Sequence, residues 1–407
     1  MFTEVILATS IYAGYKYIKS DKRKIRRAFK ACMIGVGLKN KNGETFEIIK
    51  CTEKKYGFEC TINIPFGLSV EHLNQKINII QDNLNCLIKY EKDEFHAYIK
   101  AKFITRDISK FDFKPVKCKE NKIFIGKDIT GKTLNIDLNK DPHILISGTT
   151  GTGKTTLMTS IISNIIYNSK NQIYILQTTK SDLSVFRWCK CVKFCSSNLE
   201  ETLIAIKKID SICKHRNDLF SKFNIKNIDQ WNKRYPNRHM KRIVVFTDEF
   251  SFWMENEELT DLSSKLVKIG RSLGVHLIAA LQRTTITELP SITKSQMSKI
   301  TFKQKSSVDS INVIGTDAAV KLKPGEFIID SNKEIIRGKS PFVDDDLEII
   351  KKYIDFNEAN YSSEIVVNNY EKEVLVEPIS YKELPKGEYV EQGSIEYEDD
   401  GTDWLDF

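Results

Sequence analysis

Eight consecutive residues, Gly148-Thr149-Thr150-Gly151-Thr152-Gly153-Lys154-Thr155, match G-x4-G-K-[ST] without a gap. Each part of that spacing has a chemical reason. Glycines let the backbone wrap close to phosphate oxygens, and successive N–H groups turned inward make an anion nest. A helix beginning near Lys154 aims its positive end at the same phosphates. Lys154 is placed to reach the β- and γ-phosphate oxygens of ATP, and the Thr155 hydroxyl to coordinate Mg²⁺. With Thr156 included, the candidate nucleotide contacts run without interruption from Gly148 to Thr156.

A second group lies nearly a hundred residues on. Ile243–Thr247 is apolar enough for a buried strand, and Asp248-Glu249 follows it. Asp248 is the candidate to hold the metal through its waters, and Glu249 to polarise an attacking water. The plainer reading is a strand end capped by surface acids, and the phosphate loop argues against it. Gln282-Arg283 follows a third apolar run, Val275–Leu281, where a polar side chain can contact the γ-phosphate or the lytic water. Alone, that dipeptide reads as a surface turn.

The elements that must position these groups alternate. Ile144–Ser147 reads as the strand entering the loop, and Leu157, Ile161, Ile162, Ile165 and Ile166 as the buried stripe of the helix leaving it. Strand patterns at Ile173–Leu176, Ile243–Thr247, Val275–Leu281 and Ile300–Lys303 and helix patterns at Glu201–Phe220 and Leu259–Leu273 indicate parallel βαβ units in an α/β domain. Upstream, Lys122–Leu138 reads as a hairpin with a glycine turn. Further upstream, Gly57–Pro65, a helix capped by Ser69 with His72 at its third position, Leu87–Tyr90 and Ala97–Phe103 give a β-α-β-β order. Four segments are therefore expected: an apolar and basic N-terminal stretch (1–39), a small α+β domain (40–115), the α/β nucleotide domain (116–356) and an acidic tail (357–407).

Taken in order, these residues resemble the FtsK/SpoIIIE family of DNA translocases. The resemblance rests on Ile125-Gly126-Lys127-Asp128-x2-Gly131, on Pro142-His143-Ile144-Leu145-Ile146-Ser147 running into the loop, and on Asn227-Ile228 with Trp231-Asn232. It continues through Gly270-Arg271-x2-Gly274-Val275-His276-Leu277 to Gln282-Arg283, Ser306-Ser307-x-Asp309-Ser310 and Gly315-x-Asp317-Ala318. It implies a RecA-like P-loop NTPase motor domain that hydrolyses ATP with Mg²⁺, works as a homo-hexameric ring and moves double-stranded DNA. Two departures stand out. Where the family has an Asp-Pro-Lys-like turn, this chain has Gln177-Thr178-Thr179-Lys180, so only Lys180 carries over. Where it has an Arg before the strand at Ile300, this chain has Lys299, a point charge instead of a fork. Lys299, Arg271 and Arg283 remain alternative donors of a finger to a neighbouring subunit. Two rival readings stay open: an ATPase of a protein secretion system, and a nucleotide-gated adaptor that brings DNA or a relaxase to channel proteins.

The bulk numbers agree with a globular chain: 407 residues, 41% hydrophobic and 29% charged, with a net charge of +8. Nine scattered cysteines suggest a reducing, cytoplasmic setting, and Cys189-x-Cys191-x3-Cys195 lacks the second half of a zinc site. Val5–Tyr15 is mostly apolar and Lys16–Lys30 holds 8 basic residues against Asp21. Eleven residues are too few to span a bilayer, which needs about 20. Packing on the body and peripheral contact with a membrane both remain open for this stretch.

From Tyr361 to Phe407 there are 13 acidic and 3 basic residues, a net of −10, which leaves +18 on the preceding 360. A tail that mimics a polyanion should compete for the DNA path. Deletion after Asn357 is then expected to tighten DNA binding, most at low salt, where attraction is least screened. Equal affinities for the full and shortened chains would leave the tail a solubilising role only.

Overall fold

The computed structural model describes residues 22–106, 111–179, 181–281, 295–331 and 334–356. Val5–Tyr15, Lys180, Gln282-Arg283 and the tail from Tyr361 lie outside the described residues. The chain divides into two compact units, Met1–Phe111 with Lys127–Lys132, and Asp112–Gly126 with Thr133–Phe407. No helix among the described residues is long and apolar enough to cross a membrane.

The first unit opens with α1 (Lys22–Gly35), whose Ile25, Phe29 and Met33 repeat every four residues and are buried. The strands β1 (Glu47–Lys54) and β2 (Gly57–Asn63), the helix α2 (Val70–Leu84), and the strands β3 (Leu87–Lys92) and β4 (Tyr98–Ile104) follow. The strands pair antiparallel in the order β1-β2-β4-β3. Phe29 meets Phe103 of β4 edge-on, with ring centroids 5.6 Å apart. At the start of α2 the expected cap is present: the Ser69 N–H donates to His72 Nδ1 over 3.1 Å.

Two expectations need correction here. The β-α-β-β order lacks α1 and β1, and the break at residues 39–40 separates α1 from the core to which it contributes Ile25, Phe29 and Met33. The six basic residues of α1 hide a three-residue apolar stripe in a segment that reads as a charge run.

The second unit is built on a ten-stranded sheet. Its strands are β5 (Lys122–Asp128), β6 (Thr133–Asp137), β7 (Ile144–Ser147), β8 (Gln172–Ile175), β9 (Val192–Cys195), β10 (Ile243–Thr247), β11 (Val275–Leu281), β12 (Ser298–Thr301), β13 (Glu326–Ser331) and β14 (Glu334–Lys339). The order is β6-β5-β14-β13-β12-β7-β11-β10-β8-β9. From β12 to β9 every pairing is parallel, but β12–β13 and β13–β14 are antiparallel. The sheet is therefore mixed, mostly parallel, with the expected parallel βαβ units at its centre. The antiparallel addition comes after the last βαβ crossover, in short strands whose periodicity resembles that of the parallel ones.

Every residue of β7, β10 and β11 is buried, as expected of parallel strands covered on both faces. One face packs on α3 (Lys154–Asn168), through Leu157, Met158, Ile161, Ile162 and Ile165. The other packs on α4 (Leu199–Lys222) and α6 (Glu257–Leu273), with the short α5 (Ile228–Arg234) between them in sequence. The chain fills β8, β9 and β10 on one side of β7, inserts β11 beside it, then crosses to place β12 on its other side. Such a reversal opens a crevice at the carboxyl ends of the strands.

If α1 belongs to the core of the first unit, Phe29→Ala should cost about 3–5 kcal/mol. Faster hydrogen exchange in β4 and a lower urea midpoint are the expected readouts. Unchanged exchange in β4 would detach α1 from that core.

Candidate nucleotide site

The phosphate loop leaves β7 at Ser147 and enters α3 at Lys154, so it crosses the carboxyl edge of the sheet inside that crevice. Two of its glycines answer to specific neighbours. At Gly148 (φ 152°) a Cβ would stand 2.7 Å from Phe302 Cβ. At Gly153 (φ 113°) it would stand 3.2 Å from the Phe302 ring and 3.4 Å from Gly325 Cα. Phe302 directly follows β12, and its N–H donates to Ser147 O over 2.8 Å. The aromatic ring thus forms a floor that only a glycine loop can approach.

The loop is braced from the same side. Thr149 N–H donates to Lys303 O over 3.1 Å, and Gly325 N–H donates to Thr152 O over 2.9 Å. Beneath the loop, the Ser147 and Thr301 hydroxyls lie 2.9 Å apart, and Gln304 Nε2 donates to both, over 3.2 and 2.7 Å. All three side chains are buried, so the paired polar atoms avoid the cost of unmet hydrogen bonds.

Lys154 is 6% exposed, and its Nζ donates to Gly148 O over 2.8 Å and to Thr149 O over 3.2 Å. Burial lowers its pKa, while Asp248 and Glu249 oppose the shift. The ammonium therefore sits in the field of both carboxylates. Asp248 moves the other way: burial raises its pKa, Ser181 and Lys154 pull it down, and Glu249 and Asp182 push it up. Ser181 Oγ donates to Asp248 Oδ2 over 3.2 Å, and the Asp248 N–H donates to Gln177 Oε1 over 3.3 Å. Glu249 Oε1 accepts from Ser251 Oγ over 2.6 Å.

A bound nucleotide with its metal fits this donor set. Among the described residues, the backbone N–H groups of Thr150, Gly151, Thr152 and Gly153 donate to no protein acceptor, so the nest is open to phosphate oxygens. The ammonium is held by Gly148 O and Thr149 O of the same loop, and the fifteen-residue α3 begins where that loop ends. Thr155, one residue into the helix, and Asp248 supply a hydroxyl and a carboxylate of the hard oxygen type that Mg²⁺ takes.

Not all expected residues converge. Lys154, Thr155, Asp248 and Glu249 share the carboxyl edge of the sheet. Arg271 is exposed in the last turn of α6, just before β11 begins, and Lys299 pairs with Leu145 and Asp330 early in β12. Both therefore lie toward the opposite edge. Gln282 and Arg283 are outside the described residues. Sequence reasoning missed Ser181, Gln177 as the acceptor for Asp248, and Phe302. Ser181-Asp182 is a legible N-cap pattern, whereas nothing local marks the ring at 302 as the floor of a loop 150 residues upstream.

The fold and loop define a P-loop NTPase domain. Residues 114–252 match the family model described as the FtsK/SpoIIIE family. Over 262 residues it is 29% identical to a DNA translocase FtsK of Staphylococcus epidermidis, covering 59% of this chain and 33% of that protein. The chain thus spans about a third of the length of such curated relatives. In fold, it is similar to the pCW3 conjugation coupling protein TcpA (TM-score 0.53, 20% identity, 80% of this chain and 96% of that one). It is also similar to EssC ATPases 2 and 3 from Geobacillus thermodenitrificans (TM-score 0.54, 20% identity, 65% and 52%).

Because Ser181 stabilises the ionised form of Asp248, Ser181→Ala should raise that pKa further. Hydrolysis that needs the carboxylate should then fail at a higher pH, moving the acid limb of the rate profile upward. An unmoved limb would place the controlling ionisation elsewhere.

Proposed function

We propose that this chain is an ATP-hydrolysing motor that moves double-stranded DNA. The observation that carries the reading is a buried Lys154 in the shared field of Asp248 and Glu249, inside the segment that matches the FtsK/SpoIIIE family model. Lys154 neutralises charge on the β- and γ-phosphates, and the loop N–H groups fix their oxygens. Thr155 and Asp248 hold Mg²⁺, which when bound supplies further charge neutralisation to the transferring phosphoryl group. Glu249 orients and polarises the attacking water, and Ser251 holds one of its oxygens in place. Gln282 reports the γ-phosphate to the rest of the domain.

The motor acts as a homo-hexamer on the DNA of a transferred or segregated element. Its site is completed across subunits by Arg271, Arg283 or Lys299. The placement of Arg271 and Lys299 away from the carboxyl ends of the strands, where the loop lies, supports this. Grip on DNA is through phosphates and so independent of sequence. The protein works in the cytoplasm, with its N-terminal stretch packed on the body or, as the alternative, in peripheral contact with a membrane.

A second reading, DNA delivery by a coupling protein that docks a relaxase at channel proteins, is supported by the fold likeness to TcpA, which spans 96% of that chain. A secretion-ATPase reading draws on the likeness to EssC over less of both chains.

Duplex DNA should stimulate ATP turnover, and the stimulation should fall steeply between about 50 and 200 mM salt. Glu249→Gln should keep nucleotide binding and lose turnover. Turnover insensitive to DNA and stimulated by a protein substrate would support the secretion reading instead.

Charge reversal at the true finger should stop hydrolysis with nucleotide affinity nearly intact, and mixing that protein with Lys154→Ala should restore activity. No rescue by any of Arg271, Arg283 or Lys299 would mean a site completed within one chain.

A further inference from the structure

The first unit contains a chemical feature that the motor reading does not use. Cys51 of β1 and Cys60 of β2 are register partners in the antiparallel pair, flanked by Lys50↔Thr61 and Thr52↔Glu59. Their sulfurs lie 3.4 Å apart, with the Cys60 thiol donating to Cys51 Sγ. Both residues are buried, and both are free thiols. Residues directly opposite in such a pair have Cα atoms about 4.5–5.5 Å apart, inside the 4.4–6.8 Å range of disulfides. Bringing the sulfurs to about 2.0 Å takes a closure of about 1.4 Å, within the reach of side-chain rotation and a small strand shift.

Tight packing of two small apolar side chains explains the burial but not the asymmetry of the surroundings. α1 lies along β1, and its Arg26 guanidinium donates to Ile49 O over 2.8 Å. The Cys60 hydrogen bond lowers the Cys51 pKa, and Arg26 and Lys22 add to the effect against burial and Glu53. Cys60 is pushed up, by that same hydrogen bond and by burial, with Arg26 opposing the rise. The thiols of Cys32, Cys86, Cys118, Cys195 and Cys213 are all raised by burial, Cys86 to about 12. Because the Cys60 thiol donates to Cys51 Sγ, Cys51 is the sulfur that the contact favours as thiolate, and Cys60, already touching it, is placed to resolve.

We propose that Cys51 and Cys60 form a hydroperoxide-oxidised modification site, with Cys51 the attacking and Cys60 the resolving residue. In the first step the Cys51 thiolate attacks a peroxide oxygen. An S–O bond forms, the O–O bond breaks, and the leaving oxygen takes a proton to depart as water or alcohol. The product is a sulfenic acid. In the second step the Cys60 sulfur attacks Cys51 Sγ. The S–S bond forms, the S–O bond breaks, and the hydroxyl leaves with the Cys60 proton as water. With hydrogen peroxide, two thiols and one peroxide give one disulfide and two waters.

The test uses the full chain treated with limiting hydrogen peroxide, then alkylated under denaturing conditions and mapped by mass spectrometry. The nine free thiols should fall to seven. A cross-linked Cys51–Cys60 peptide should appear and be reversed by dithiothreitol. Cys60→Ser should instead accumulate a dimedone-reactive sulfenic acid on Cys51, and Cys51→Ser should leave Cys60 unoxidised. The wild-type map alone overturns the proposal if the half-buried Cys32 or Cys118 reacts first while Cys51 and Cys60 remain fully alkylatable. Equal oxidation of Cys60 in the Cys51→Ser chain would overturn the assignment of roles.

Discussion

A buried ammonium with no carboxylate bound to it governs the second unit. Lys154 is held by two backbone carbonyls of its own loop and feels Asp248 and Glu249 only through space. Removing a cation from water is costly unless it is paired and hydrogen-bonded; two carbonyls meet the second need, and a bound anion would meet the first. The arrangement therefore stores electrostatic affinity for phosphate, and the rest of the unit serves to keep it in place. The loop can hold the ammonium only where Gly148 and Gly153 press against Phe302 and Gly325, so β12 must neighbour β7. The carboxylates must approach from the far side, through β10. The sheet order, with β12 on one side of β7 and β11 then β10 on the other, meets both needs.

Much of this was legible in the sequence because it rests on local spacing. The loop pattern, the apolar strand before it and the two acids after Ile243–Thr247 occupy the expected elements, and Val275–Leu281 is a strand from end to end. The cap at Ser69 and the glycine-turned hairpin are local as well. What escaped depends on contacts between distant segments. Phe302 is one apolar residue after a strand until β12 is set beside β7. Gln177 looks like a departure from a family turn until its side chain accepts the Asp248 N–H. In α1 the signal was present, three apolar residues at a spacing of four, but six charges outweighed it.

The two units differ in how they use polar chemistry. In the second, buried polar atoms are paired around the loop, as in the Ser147–Thr301–Gln304 cluster, which fixes a geometry that hydrolysis can exploit. In the first, the core holds several thiols, tolerated in an apolar interior, and two of them, Cys51 and Cys60, meet as a hydrogen-bonded pair. The nucleotide site and the cysteine pair thus rest on one physical idea, a buried group whose charge state is set by a few named neighbours.

The central claim is that the stored charge at Lys154 is the phosphate receptor. It is tested most directly by thermal unfolding with and without Mg²⁺-ATP, for the wild-type chain and for Lys154→Ala. A ligand that binds only the folded form stabilises it by about 2.7 kcal/mol at a hundredfold excess over Kd. The account predicts a raised Tm for the wild type that grows with nucleotide concentration, and no shift for Lys154→Ala at the same concentrations. An equal shift in both proteins would contradict it, because the nucleotide would then be held by something other than this loop.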